Sequence, residues 1–195
     1  MPNHVINKVL FLGREENVNK ALEAMGPTFD LNNIVKEPEG LDKELQALAV
    51  EAAKKFCSKH GPEDDVENYL VVTDPFGMYT ARVDSFLDDF RTAVANYRRT
   101  GFCSWLEWRR KNWGCKWNTY EHRDQMNFFT ANSPCREAYR KISEKFGITV
   151  KVLFADEDRG NNCGIITCKN GVMIEWNPEP GSEEAYQFSD NLWET

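Results

Sequence analysis

Fifteen positions, Ser104 to Asn118, hold four tryptophans (Trp105, Trp108, Trp113, Trp117) and four basic residues (Arg109, Arg110, Lys111, Lys116). Indole rings stack on nucleobases and cationic groups hold phosphates, the chemistry that single-strand binders use. The same side chains also build a core, because an indole is costly to leave wet. Trp105 and Trp108 lie three apart and share a helix face, which reads as inward. Trp113 and Trp117 flank Gly114, a residue that lets the chain turn while both rings pack, and the Lys116 stem can cover an indole. The candidate binding residues are Arg109, Arg110, Lys111, Trp113, Gly114, Lys116, Trp117 and Asn118, with Arg98 and Arg99 extending the basic-aromatic segment over 98–118.

Nucleophilic chemistry has one tempting pair, Cys115 with His122, where Lys116 would lower the thiol pKa. An acyl-transfer site also needs an orienting acid, and the three histidines, His4, His60 and His122, are isolated along the chain. No catalytic residue is therefore assigned, and no enzymatic activity is expected. The six cysteines are scattered without a CxxC pair. Cys163 and Cys168 are an odd number apart in a strand, hence on opposite faces, and read with the others as free buried thiols. Asp156-Glu157-Asp158 reads as a solvated turn, so no metal is expected. Neither a GxGxxG nor a GxxxxGK[ST] loop occurs, so no cofactor is expected.

Charge is uneven along these 195 residues, which are 41% hydrophobic, 28% charged and −7 overall. From Tyr97 to Arg123, seven bases face two acids; from Glu175 to Thr195 there are six acids and no base. That is a basic platform on an acidic body. No apolar run reaches the roughly 18 residues of a membrane span, and the first residues lack the pattern of a signal peptide. A cytoplasmic protein without a membrane partner is expected.

The elements that must position these groups follow from periodicity. Val5–Leu12 reads as a strand with Val5, Asn7, Val9 and Phe11 on one face and Ile6, Lys8, Leu10 and Leu12 on the other. Glu15–Met25 reads as a helix. Leu41–His60 reads as another, with Leu41, Leu45, Leu48, Ala49, Ala52 and Phe56 inward. Tyr69–Thr73 reads as a short strand or as the end of the preceding loop, and Asp74–Gly77 as a turn. Ser85 is expected to cap a helix that buries Phe86, Phe90, Ala93, Val94 and Tyr97, and Ser104 a shorter one ending near Trp113. Gln125–Thr130 reads as a strand and Ser133-Pro134 as the cap and first turn of a helix burying Cys135, Tyr139, Ile142 and Phe146. Ile148–Phe154 alternates as a strand. Asn170-Gly171 is a two-residue hairpin between Cys163–Lys169 and Val172–Trp176. Glu183–Trp193 closes the chain as a helix.

This order predicts an α+β fold: a ferredoxin-like two-layer sandwich, an antiparallel or mixed sheet with two helices on one face. It is expected as a single domain over 1–195 carrying a long, mostly helical insertion over approximately 30–120.

Several segments, taken in order, carry a resemblance. They are Pro2-Asn3 before the first strand, Phe29-Asp30-Leu31-Asn32-Asn33-Ile34, Asn112-Trp113-Gly114-Cys115-Lys116-Trp117-Asn118, the Phe128-to-Pro134 step, Gly164 and the Asn170-Gly171 hairpin. Together they are similar to the YubB-like proteins of phages and conjugative plasmids, which carry a ferredoxin-like domain of unknown function. Cys115 stands where that pattern is expected to have threonine, and no tryptophan stands near Asn132, so Cys115 is not carried over as a shared nucleophile. The resemblance implies the fold and a mobile-element origin. The expected function is that of a non-catalytic accessory protein of a phage or mobile element, binding a host or element protein such as a host-defence component. The alternative is a nucleic-acid or nucleotide-binding module using the segment 98–118.

Overall fold

The computed structural model describes residues 2–60, 66 and 82–194. The strand and turn read at 69–77 lie outside the described residues. The chain divides into two compact units, Met1–Lys36 with Arg109–Thr195, and Glu37–Trp108.

The first unit is built on a six-stranded antiparallel sheet in the order β2-β3-β1-β4-β5-β6. The strands are β1 (His4–Leu12), β2 (Tyr120–Asp124), β3 (Asn127–Ala131), β4 (Thr149–Asp156), β5 (Cys163–Lys169) and β6 (Val172–Trp176). Helix α1 (Glu15–Met25) follows β1, and a helix over Arg136–Phe146, here α5, joins β3 to β4. Both β3 and β4 pair antiparallel with β1, which lies between them. The path β1-α1-β2-β3-α5-β4 is therefore the ferredoxin-like split βαβ arrangement, extended by the β5–β6 hairpin. Asn170 and Gly171 both have positive φ, 51° and 77°, the turn whose twist matches paired strands.

One sheet face carries the core. Val5, Val9, Phe11, Phe128, Val150, Val152, Phe154 and Ile166 are buried there, as are Phe29, Tyr139 and Ile142. Asn7 is buried in the same face and fully bonded. Its amide donates to the Val5 carbonyl at 2.9 Å and to Thr130 Oγ1 at 2.8 Å, and its oxygen accepts from the Tyr139 hydroxyl at 2.8 Å. This polar link pins α5 to β1, because a buried amide without partners would be costly. The closing helix, Glu183–Trp193 (α6), lies on the opposite face, where Ala185 and Leu192 pack with Ile6, Phe129, Ala155 and Cys163. The sheet thus has two helices on one side, as expected, and a third on the other. Cys163 belongs to the α6 side, while Cys168 pairs in register with Val150 on the α5 side.

β2 has no counterpart in the sequence reading. Tyr-Glu-His-Arg-Asp has no apolar alternation because this strand is the sheet's edge. β3 starts at Asn127 rather than Gln125, since the Gln125 side-chain amide is spent on the Leu22 and Gly26 carbonyls. Helix α5 starts at Arg136, not at Pro134, and Ser133 is not its cap: its hydroxyl donates to the Gly114 carbonyl at 2.9 Å.

In the second unit, α2 (Ala47–Lys59) and α3 (Arg82–Thr100) share a core of Ala49, Val50, Ala53, Phe56, Phe90, Ala93, Val94 and Cys103. Helix α2 begins six residues later than Leu41, since Gln46 is extended and gives its N–H to Asp89 at 3.0 Å. The buried face therefore runs through Ala49, Ala53 and Phe56, and Leu48 is 77% exposed. Ser85 is inside α3 rather than capping it, and Asn96, not Tyr97, is the buried residue of the last turns. Helix α4 (Trp105–Asn112) ends just before Trp113, as expected. Among the described residues, no helix is long and apolar enough to cross a membrane.

Candidate functional site

The Trp-rich segment divides into a brace and a small exposed patch. Trp105 and Trp108 are buried. Trp113 is buried too; its indole N–H donates to the Val35 carbonyl at 2.9 Å, and the Arg109 guanidinium lies 5.2 Å from its ring centre. The Trp113 carbonyl accepts from the Ala138 N–H at 3.2 Å, so the turn after α4 supplies a partner for the otherwise orphaned first turn of α5. Gly114 has φ +88°, and a Cβ there would stand 2.7 and 2.8 Å from the backbone nitrogens of Arg136 and Glu137. Glycine is needed for the conformation and the approach together.

Asn118 ties the same turn to the loop after α1. Its side-chain oxygen accepts from the Leu31 N–H at 2.9 Å and its amide donates to Asp30 Oδ1 at 2.7 Å. Thr119 Oγ1 adds a bond to the Phe29 carbonyl at 2.9 Å. Irregular backbone must find partners somewhere, and here the Phe29–Ile34 loop finds them in the Trp113–Asn118 turn.

Cys115 is buried, and its thiol donates to the Trp117 carbonyl at 3.0 Å. Burial, reinforced by the neighbouring Cys135 thiol, pushes its pKa well above the ordinary thiol value. A thiol held protonated is a poor nucleophile. His122 bonds Thr119 Oγ1 at 2.9 Å through Nε2, and burial lowers its pKa. The geometry serves packing and backbone satisfaction at both residues. Of the candidate binding residues, Arg110, Lys111 and Trp117 are exposed, and Lys116 is half-buried with its ammonium 5.0 Å from the Trp117 ring centre. Tyr120 meets Trp117 edge-on at 6.3 Å.

A second surface emerges only from strand pairing. On the face opposite α1 and α5, the register aligns Lys8, Leu153, Ile165 and Trp176 in one row across β1, β4, β5 and β6. The next rows are Leu10, Lys151, Thr167 and Ile174, then Leu12, Thr149, Lys169 and Val172. Helix α6 covers the other end of this face and reaches only its border, where Phe188 meets the Trp176 ring at 5.7 Å. The uncovered apolar side chains are Leu10 at 50% exposure, Leu12 at 46%, Val172 at 65%, Ile174 at 71% and Trp176 at 42%. The charges in these rows are all positive: Lys8, Lys151 and Lys169. The signal was present in β1, which is apolar on both faces, a pattern that usually means both faces are covered.

A cleft of about 300 Å³ lies where β5 meets the Asn177–Pro180 segment, and Arg136 lines it. The Arg136 guanidinium is bonded to both Glu175 oxygens, at 2.9 and 2.6 Å, and this hydrogen bonding lowers the Glu175 pKa. Gly164 leaves room for the Trp176 carbonyl, which would stand 2.2 Å from a Cβ. The cleft's cation is thus committed to holding β6 against α5.

Residues 112–194 match the family model described as a ferredoxin-like domain in Api92-like protein, a stretch that opens at the Trp113–Asn118 turn and closes with α6. A solved structure, protein api92 from Yersinia pseudotuberculosis, aligns with 92% of this chain and 100% of that one, at 9% sequence identity and a TM-score of 0.39. No curated protein matches the chain.

Proposed function

We propose that this chain is a non-catalytic accessory protein of a phage or related mobile element, working in the host cytoplasm by binding a protein of the host or of the element. A host-defence component is the class of target that the resemblance to phage and plasmid proteins suggests. The observation that supports binding is the uncovered sheet face. Single exposed apolar residues are ordinary, but contiguous apolar patches mark interaction sites. Leu10 and Leu12 on β1 and Val172 and Ile174 on β6 are two exposed apolar groups on this face, with Thr149, Lys151, Thr167 and Lys169 between them, while Val9 and Phe11 beside the leucines are buried.

The test is affinity purification of the tagged chain from host lysate, with and without nuclease, beside the Leu10→Ser/Ile174→Ser variant. A protein retained after nuclease and lost with the variant is the expected result. Retention unchanged by the variant removes the sheet face from the reading.

A second reading, nucleic-acid or nucleotide binding, is favoured by the exposed Trp117 ring with the Lys116 ammonium over it and Arg110 and Lys111 exposed in the preceding helix. It predicts single-strand binding that weakens steeply as salt rises. No binding at low salt would end it.

A further inference from the structure

We infer that the uncovered half of the sheet receives an acidic amphipathic helix of a partner protein, seated beside α6. This deepens the protein-binding reading and rests on it.

Size comes first. From β1 to β6 along the rows there are three strand spacings of about 4.8 Å, and Lys8 to Leu12 covers four residues of about 3.4 Å, so the open area is about 14 Å on each side. A helix is about 10 Å across and rises about 14 Å in nine residues. One helix of two to three turns fills the area.

Charge sets the sign. The chain carries −7 overall, yet its open sheet rows carry three lysines and no acid. Among the described residues neither Lys151 nor Lys169 is in an ion pair, and both stand on the two middle strands, between Leu10 and Leu12 on β1 and Val172 and Ile174 on β6. A helix that crosses the strands, with apolar anchors at both ends of its docking face and carboxylates between them, satisfies both requirements. The same face already holds one acidic helix, whose Asp190 pairs with Arg159 of the β4–β5 connection. Helix α6 contains Glu183, Glu184 and Asp190 and no basic residue, and it docks through Ala185 and Leu192.

Two other occupants fit less well. The exposed side chains over the three rows are mainly aliphatic, and the one ring, Trp176, is engaged by Phe188; stacking of single-stranded bases needs free rings. A second copy docking through this same face would set lysines against lysines, since a two-fold interface repeats one patch on both sides.

The experiment titrates the full chain, ¹⁵N-labelled, with three probes: a helical peptide whose one face carries leucines two turns apart with glutamates between them, the same peptide with lysine in place of glutamate, and oligo-dT. The expected result is amide shifts confined to β1, β4, β5 and β6 with the acidic peptide, at least tenfold weaker binding of the lysine peptide, and at least tenfold loss in Lys151→Glu/Lys169→Glu. Equal affinity for both peptides, no shifts at millimolar acidic peptide, or shifts on these strands with oligo-dT instead would overturn the inference. So would concentration-dependent dimerisation abolished by Ile174→Glu. The lysate experiment separates the two levels. A partner lost with Leu10→Ser/Ile174→Ser but indifferent to the lysine reversals would leave protein binding standing and refute the acidic helix.

Discussion

Replacing Gly114 with alanine tests whether the Trp113–Asn118 turn is a structural brace. Two effects add at this position. A side chain at φ +88° costs about 1 kcal/mol in the left-handed region. The new Cβ also meets the backbone nitrogens of Arg136 and Glu137 at 2.7 and 2.8 Å, and backbone at the start of α5 has little room to yield. The turn and helix must part, which loosens the Trp113 carbonyl bond to Ala138 and the Ser133 bond to Gly114. At about 1 kcal/mol each, these bring the expected loss to about 3 kcal/mol. Gly147→Ala is the matched control in the same unit. Its φ is +62°, but the nearest atom to a Cβ is the Asn17 side-chain nitrogen at 3.7 Å, so only the conformational cost of about 1 kcal/mol applies. Urea unfolding followed by tryptophan fluorescence and far-ultraviolet dichroism reads both. If the two variants agree within about 0.5 kcal/mol, a difference typical of innocuous substitutions, the close approach carries no energetic weight and the brace argument fails.

Three further outcomes are expected. Tyr139→Phe leaves the buried Asn7 oxygen without its donor and lowers stability by about 1–3 kcal/mol in the same urea assay; a neutral result would mean that another donor replaces the hydroxyl. Trp113→Ala costs about 3–5 kcal/mol, as for a buried indole, whereas Trp117→Ala, at 36% exposure, costs about 1–2 kcal/mol; equal losses would contradict the division of the segment. Hydrogen bonding to Arg136 lowers the Glu175 pKa below its ordinary 4.5, so the ionised carboxylate adds stability that is fully present above pH 4.5 and is lost as pH falls through the lowered folded value. Glu175→Gln should therefore be less stable than the wild type at neutral pH, and thermal unfolding across an acid series should show the gap closing below pH 4.5.

The meaning of the Trp113–Asn118 motif changed between sequence and structure. Composition alone marks it as basic and aromatic and suggests contact with a ligand. In the folded chain, Trp113 spends its polar groups on Val35 and Ala138, Gly114 its carbonyl on Ser133, Cys115 its thiol on Trp117 and Asn118 its amide on Asp30 and Leu31. Their spacing is that of a turn reaching two distant backbone segments at once. Neither target is near in sequence, so neither could be read from the motif.

What the sequence by itself determined is local. Strand β1, helix α1, the Asn170-Gly171 hairpin and helix α6 follow from side-chain period and left-handed turn residues, and their order already implies a ferredoxin-like sheet. Edge strand β2 escaped because an edge needs no apolar side, and the start of α2 moved because Asp89, 43 residues away, takes the Gln46 N–H. Only the tertiary structure decided which side of β1 stays wet. Val9 and Leu10 are equally apolar neighbours, and alternation merely separates them onto opposite faces. Burial of one and exposure of the other depend on where α1, α5 and α6 settle. That is set by long-range contacts such as Tyr139 with Asn7 and Leu192 in the cluster with Ile6, which no local pattern encodes.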